Sequence, residues 1–505
     1  MNQDLNFKIK QYEDIRTKIQ SYSYLLNIVY WDASTVAPME SYIERGNHVG
    51  LISEELYKMR TSKEFTDLVD YLYDHKEELD IDFAHEIEIV KEDIDQTKKI
   101  PMNEMIEYEK TLNVAQVKWE EAKHTNDFSI FMPYLEKIVE YKRKEIKYLE
   151  TETLKGYDVL LNMYERGYTQ KEYNEFFNTL KEELVPFVKE ICAIKKEFYN
   201  FEQHEYPIEK QKQVAKYMGD VLCFDFNRGT MAESEHPFTW NTSPSDVRIT
   251  NHFYLNDFSS SLFSAIHEFG HATYEQGVDR KYDGTFIAGG VSMAMHESQS
   301  RFYENIIGRD YHFWEIHFPK LKEIYNEQFK DVTLNQFYEY INKVEASFIR
   351  TEADELTYPL HVMLRYELEQ LLFEGDLEVK DLEKEWNKKI KDYFNLEVPC
   401  SSKGVLQDSH WSGGSFGYFP TYALGSAIAS QLYEKMNSQF NVNESLENNT
   451  TKEINNWLND RIHKYGSSKY PKEILESALN EKFNVRSYIN YLKNKYSRIY
   501  NVKIN

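Results

Sequence analysis

The sequence predicts a mainly α protein with a small β-element near its middle. Three observations lead there. Apolar residues recur at three- and four-residue steps from the N-terminus onward, a long stretch rich in Glu and Lys is almost without Gly or Pro, and the texture changes abruptly between about residues 217 and 295. With 505 residues, 41% of them hydrophobic and 15% aromatic, the chain has ample material for a packed interior. It is too long for one simple core, so two lobes or one large multi-layer helical body both fit.

Leu5, Ile9, Tyr12, Ile15, Ile19, Tyr22 and Leu25/Leu26 form one face of a long first helix, which ends near "WDASTVAPME", where Pro38 interrupts the pattern. From about Arg45 to Asn200 the spaced apolar residues read as several long helices. Charge runs there, such as "YKRKEIKYLETETLK", read as solvated helix faces. "HPFTWNTSPSDVRITNHFYLND" is punctuated by Pro and Ser and alternates around Val247, Ile249, Phe253 and Leu255, which suggests two or three short strands. "TFIAGGVSMAMHES" reads as a further edge or a loop. Helices resume to about Glu397, a Gly-rich passage "SHWSGGSFGYFPTYALGS" follows, and helices close the chain. No fixed-period repeat is visible, and "NVNESLENNTTKE" reads as a polar loop.

The net charge of −24 argues against a general nucleic-acid binder, which needs a basic face. Cys192, Cys223 and Cys400 are far apart and form no C-x-x-C pair, so a reducing compartment is the simpler reading. The N-terminus lacks the apolar core of a secretory signal. No stretch approaches the roughly 18 uninterrupted apolar residues of a membrane span. A soluble cytoplasmic protein with no nucleic-acid or membrane partner is expected.

"SAIHEFGHATYEQG" carries His267, Glu268 and His271 in the spacing H-E-x-x-H. Residues four apart share a helix face, so both imidazoles can point at one metal ion, while Glu268 is displaced towards the water such an ion polarises. Imidazole and carboxylate suit zinc, with cobalt a substitute. Gly270, inside this helix, costs stability relative to alanine and makes sense where another backbone packs closely. A catalytic zinc keeps three protein ligands. Glu297 in "MHESQSRFYE" is favoured as the third, since two His and one Glu form a hydrolytic set; its neighbour His296 competes for that role, and a plain helix N-terminal acid is the bland alternative.

The ordered motifs "HPF" (His236–Phe238), "DVRIT" (Asp246–Thr250), "HEFGH", "HESQSR" (His296–Arg301), "IRTEAD" (Ile349–Asp354) and "GVLQDSHW" (Gly404–Trp411) resemble the carboxypeptidase Taq family of zinc metallocarboxypeptidases over essentially the whole chain. "WDASTVAPME" matches loosely, "GSFGYFPTYALG" better. The resemblance implies a mostly helical, two-lobed fold with a deep cleft, and the small β-element read from the alternation above then lies near the metal site. It implies one peptidase unit over residues 1–505, with a zinc-binding centre at roughly 217–305, and a homodimer. It also implies release of single residues from peptide C-termini with broad specificity.

A carboxypeptidase needs a cation for the terminal carboxylate, and the planar fork of arginine suits it best. Arg350 is the leading candidate, and the resemblance assigns the arginine of its motif to substrate recognition; pairing with Glu352, Asp354 or Glu355 on its own helix is the alternative. Arg248 is a second candidate, with an ion pair to Asp246 as its alternative. His410 and one of Tyr418 or Tyr422 are candidate donors to the developing oxyanion, a choice the sequence leaves open. His236 is a candidate substrate contact or a turn anchor. "GGVSMAM" can run extended along the cleft or form a surface loop. A zinc endo-oligopeptidase with a related helical fold is the rival function, and a non-catalytic scaffold a second.

Overall fold

The structure is a computed structural model and describes residues 3–503. It is a two-lobed, mainly α body with a deep cleft. The first half comprises α1 (Gln3–Thr35), α2 (Tyr42–Thr61), α3 (Lys63–Asp74), α4 (Ile81–Lys99), α5 (Met102–Thr125), α6 (Phe128–Leu149), α7 (Tyr157–Tyr164), α8 (Gln170–Cys192) and α9 (Ile208–Val221). After the sheet come α10 (Phe258–Gly277), α11 (Met293–Arg301), α12 (Tyr311–Ile324), α13 (Leu334–Ile341), α14 (Tyr358–Glu374) and α15 (Leu382–Phe394). The chain closes with α16 (Phe419–Asn437), α17 (Val442–Glu447), α18 (Thr451–Arg461), α19 (Pro471–Leu479) and α20 (Val485–Tyr500). One small core joins α1, α3 and α4 through Leu5, Tyr12, Ile19, Phe65, Val69 and Ile87. A far larger core runs from Tyr108 to Tyr500.

The first helix ends at Thr35, before Pro38, as its periodicity predicts. The β-element has three strands, β1 (Gly229–Glu233), β2 (Thr239–Ser243) and β3 (Asp246–Asn251), in the order β1-β3-β2. β3 pairs parallel to β1 and antiparallel to β2. Val247 and Ile249, the alternating apolar pair, are fully buried.

Three segments differ from expectation. The charge run in α6 is not merely solvated: Lys142 and Glu145 are buried and paired at 2.6 Å, and Arg143 donates to the Leu372 carbonyl at 2.5 Å. The polar "NVNESLENNTTKE" contains a helix, α17, because Val442 and Leu446 share a face and are buried while Asn441 caps the turn at the Glu444 N–H. Conversely, no regular α-helix spans "NKVEASFIRTEAD". Asp354 accepts the N–H groups of Glu345, Leu356 and Thr357, and Gln407 takes that of Arg350. Side chains thus replace the helical ladder, and only a short 3₁₀ turn forms at Arg350–Glu352.

Two helices position the site. α10 is buried on nearly all sides, and its Asp257 cap accepts from the N–H groups of Ser259 and Ser260. α11 starts at the Ser292 cap, and the Glu165 carboxylate accepts from the Ala294 N–H and the Ser292 hydroxyl. A π-helical turn, Phe302–Ile307, follows. Gly270 is where α10 meets α11: a Cβ there would lie 2.6 Å from Ser300 Cα and 2.8 Å from the Gln299 carbonyl oxygen. Gly270→Ala should therefore destabilise the protein despite its better helix propensity, by about 1–3 kcal/mol of overpacking. Urea unfolding checks this; an unchanged or raised midpoint would contradict the contact.

Candidate metal centre and active site

The helical spacing of His267 and His271 turns both rings to one side of α10, and Gly270 lets α11 approach closely enough to bring Glu297 opposite them. Nε2 of His267 lies 3.7 Å, and Nε2 of His271 3.6 Å, from Glu297 Oε2. One ligand atom from each residue falls within 4.8 Å of the others, so two imidazole nitrogens and a carboxylate oxygen converge as a metal requires. On the third side, α16 presses Gly425 against Glu297, where a Cβ would come within 2.7 Å of the Glu297 Cβ.

Each group is held from behind. Glu304, on the π-helical turn, accepts from His267 Nδ1 at 2.9 Å. Arg301 donates Nε to Glu297 Oε1 at 2.7 Å and Nη1 to Glu304 Oε2 at 3.0 Å. His296, the competing ligand in the sequence, stands behind His271 instead, with the two Nδ1 atoms 2.7 Å apart and its Nε2 2.6 Å from Glu275 Oε1. Burial opposes the charged form of His267, but Glu297 and Glu304 raise its pKa. Burial, then the neighbouring imidazoles of His296 and His267, push His271 well below the usual imidazole range. Burial opposes ionisation of Glu304, yet Arg301 and His267 hold it well below the carboxylate norm.

Glu268 is buried beside His267, and its Oε2 accepts from the Thr239 hydroxyl of β2 at 2.6 Å. Burial raises its pKa, which suits a proton acceptor working near neutral pH. A cavity of about 870 Å³ opens here, lined by His267, Glu268, Arg301, Glu304, Arg350 and Tyr358 among others.

Arg350 lies in the same cavity, and its partners are not those on its own segment. Its Nε and Nη2 donate to Asp408 Oδ1 at 3.0 and 2.8 Å, and its Nη1 to the Tyr358 hydroxyl at 3.0 Å. The fully buried Arg365 takes the other oxygen, with Nε 2.7 Å from Asp408 Oδ2. Burial alone would raise the Asp408 pKa, but Arg365 and Arg350 hold it well below the carboxylate range. Since Asp408 occupies the Nε/Nη2 edge of Arg350, N–H groups on its two terminal nitrogens remain for a further acceptor.

His410, Tyr418 and Tyr422 form one cluster against Arg350. His410 Nε2 is 3.1 Å from the Tyr422 hydroxyl, the Tyr418 and Tyr422 rings are 5.0 Å apart, and the Arg350 guanidinium lies 5.1 Å from the Tyr422 ring. Burial and then Arg350 lower the His410 pKa to about 4, and burial raises both tyrosines, so all three stay neutral.

Arg248 and His236 are not brought to this cavity. Arg248 spends Nε and Nη2 on both oxygens of Asp246 at 2.7 and 2.8 Å and faces the Trp31 ring. His236 is exposed, and its carbonyl oxygen accepts from the Ser234 hydroxyl. "GGVSMAM" does not run as a strand. Gly290 and Val291 donate their N–H groups to Glu275 and Tyr274, and a helix begins at Met293.

Sequence reasoning missed Arg301, Glu304, Glu275, Thr239, Asp408, Arg365 and Tyr358. For the first two a signal existed: Arg301 and Glu304 follow Glu297 by four and seven positions, one helix face. Asp408 sits inside the "GVLQDSHW" motif. Glu275 carries one too, four positions after His271 and seven after Glu268 on α10, whereas Thr239 carries none.

The chain has relatives along nearly its whole length. The pattern of the carboxypeptidase Taq (M32) metallopeptidase family matches residues 11–496. The chain is 40% identical to carboxypeptidase 1 of Bacillus subtilis (strain 168) over 493 residues, 97% of this chain and 98% of that one. It is 35% identical to thermostable carboxypeptidase 1 of Pyrococcus furiosus over 501 residues, 97% of this chain and 99% of the other. The crystal structure of an M32 carboxypeptidase from Deinococcus radiodurans R1 superposes with a TM-score of 0.94 at 29% identity, covering 98% of this chain and all of that one (100%). The protein is accordingly a metal-dependent carboxypeptidase, a peptide hydrolase, and the endo-oligopeptidase and scaffold alternatives fall away. With its two imidazoles and one carboxylate converging beside a buried glutamate, the chain belongs to the carboxypeptidase Taq family of metallopeptidases.

Proposed function

We propose that the protein is a zinc carboxypeptidase in which His267, His271 and Glu297 hold the metal, with cobalt able to replace zinc. The convergence of these three ligand atoms beside Glu268, in a cavity that also reaches Arg350, is the observation that carries the reading. A zinc ion there would act as a Lewis acid and lower the pKa of water to near neutrality. Glu268 takes the proton as water attacks the last peptide carbonyl and returns it to the leaving amine. Thr239 keeps the Glu268 carboxylate turned to one side meanwhile.

Arg350 binds the terminal carboxylate through the N–H groups that Asp408 and Tyr358 leave free, which sets cleavage one residue from the end. It is preferred to Arg248, which pairs with Asp246 and does not line the cavity. The neutral His410, Tyr418 and Tyr422 supply hydrogen bonds to the developing oxyanion; such a donor is worth about 3–4 kcal/mol of barrier. His236, on the surface, is left as a turn anchor. The chain works as one peptidase unit with its metal centre at roughly 217–305, as a cytoplasmic homodimer of broad specificity acting on peptides with a free C-terminus. No helix among the described residues is long and apolar enough to cross a membrane.

Mass spectrometry of a mixed peptide digest should show stepwise loss of single C-terminal residues that stops with a chelator and resumes on adding Zn²⁺. Internal fragments, or activity indifferent to the chelator, would overturn the reading. Glu268→Gln should lower kcat roughly 10²–10⁴-fold while equilibrium dialysis still finds one metal per chain; substantial residual turnover would remove Glu268 as the base. Arg350→Ala should cost free-acid peptides about 3 kcal/mol of transition-state binding, roughly 100-fold in kcat/KM. The slow cleavage of C-terminally amidated peptides should change little, and equal losses on both would remove the clamp.

A further inference from the structure

The two metal-facing imidazoles are held by different devices. His267 turns Nδ1 directly to a carboxylate, Glu304. An ionised carboxylate has no proton to give, so the ring carries a proton on Nδ1, which leaves Nε2 as its atom for a metal. His271 turns Nδ1 to a second imidazole, at 2.7 Å from His296 Nδ1. Two ring nitrogens that close form a hydrogen bond only when one bears a proton and the other does not. Nothing in that contact alone says which.

The answer lies on the far side of His296. Its Nε2 is 2.6 Å from Glu275 Oε1. Glu275 is buried and accepts twice more, from the Gly290 N–H at 3.0 Å and from Asn241 Nδ2 at 2.7 Å. A metal held by the His271 Nε2 lone pair requires the ring proton on Nδ1, which in turn requires His296 to accept at its own Nδ1 and to turn a protonated Nε2 to Glu275. With the proton of His296 on Nε2, its Nδ1 is an acceptor, His271 donates from Nδ1, and the His271 Nε2 lone pair faces the Glu297 oxygen 3.6 Å away.

The His296 ring is also fixed in rotation. A Cβ on Gly290 would meet its Cδ2 at 2.6 Å, and Tyr274 lies with its ring centre 5.0 Å away. Turning the ring over would exchange nitrogens for carbons and break both hydrogen bonds. α10 supplies His271, Tyr274 and Glu275 to this arrangement, α11 His296, β2 Asn241 and the Gly289–Val291 loop the Gly290 N–H.

We propose that Glu275 and His296 are positioning residues which fix His271 as its Nδ1–H tautomer, and so make Nε2 its metal-binding atom. The inference rests on His267, His271 and Glu297 being the metal site. A hydrogen-bonding partner behind a metal-ligating histidine is typically worth roughly 10–100-fold in metal affinity. Here the partner carboxylate acts through an intervening ring.

The test titrates Zn²⁺ into the metal-free full-length protein against a chromophoric chelator. His296→Leu should bind Zn²⁺ roughly 10–100-fold more weakly than the wild type. His296→Asn, whose amide oxygen can stand near Nδ1 and accept from His271, should recover most of that loss. Affinity within twofold of wild type for His296→Leu overturns the proposal. So does an Asn variant as impaired as the Leu variant while its thermal midpoint is unchanged. Should His296→Leu not fold, Glu275→Gln carries the test: weaker Zn²⁺ binding supports the relay, and wild-type affinity overturns it. A wild-type protein that binds no Zn²⁺ would instead sink the metal site itself and the relay with it.

Discussion

The buried carboxylate of Glu297 is the point on which the site turns. Removing a charge from water is costly unless partners replace the lost hydration. Its Oε1 accepts from Arg301 and its Oε2 from Ser300, and Oε2 also faces both His267 and His271. These partners come from α10 and α11, so packing two helices and solvating one charge are a single event. Gly270 and Gly425 set the distance, since a Cβ at either would push a neighbouring element away from Glu297 or its helix.

Charge balance then spreads from that carboxylate across the cavity. Arg301 serves Glu297 and Glu304 together and lies over the Tyr358 ring at 4.3 Å. The Tyr358 hydroxyl accepts from Arg350, and Arg350 shares Asp408 with Arg365. Three arginines thus face three carboxylates in a largely buried line that runs from Glu297 to Asp408. Such a line keeps buried charges paired and holds each guanidinium in one orientation. Arg350, on an irregular segment, owes its position to these partners rather than to a helix.

A small sheet and a glycine loop pack against side chains of α10. β2 supplies Thr239 to Glu268 and Asn241 to Glu275, so one short strand reaches two carboxylates on α10 seven residues apart. The loop before α11 gives its N–H groups to Glu275 and Tyr274. A segment with its donors used in this way serves the helix behind it.

The sequence by itself determined the mainly α class, the end of the first helix, a small β-element of two or three strands and the group of His267, Glu268, His271 and Glu297. These are legible because helical period, strand alternation and i,i+4 ligand spacing are local properties that leave a pattern in the chain. It also marked Gly270 as a place of close approach, since glycine in a buried helix needs a reason. Only the tertiary structure decided that His296 stands behind His271, that Arg350 pairs with Asp408 some 58 positions away, and that Arg248 turns to Asp246. It also decided that "NVNESLENNTTKE" and "IRTEAD" exchange expected roles as loop and helix. Those outcomes depend on which distant donor or acceptor reaches a buried group first. Val442 and Leu446 find a core to enter, whereas the N–H groups around Arg350 find Asp354 and Gln407 before they find a helical carbonyl.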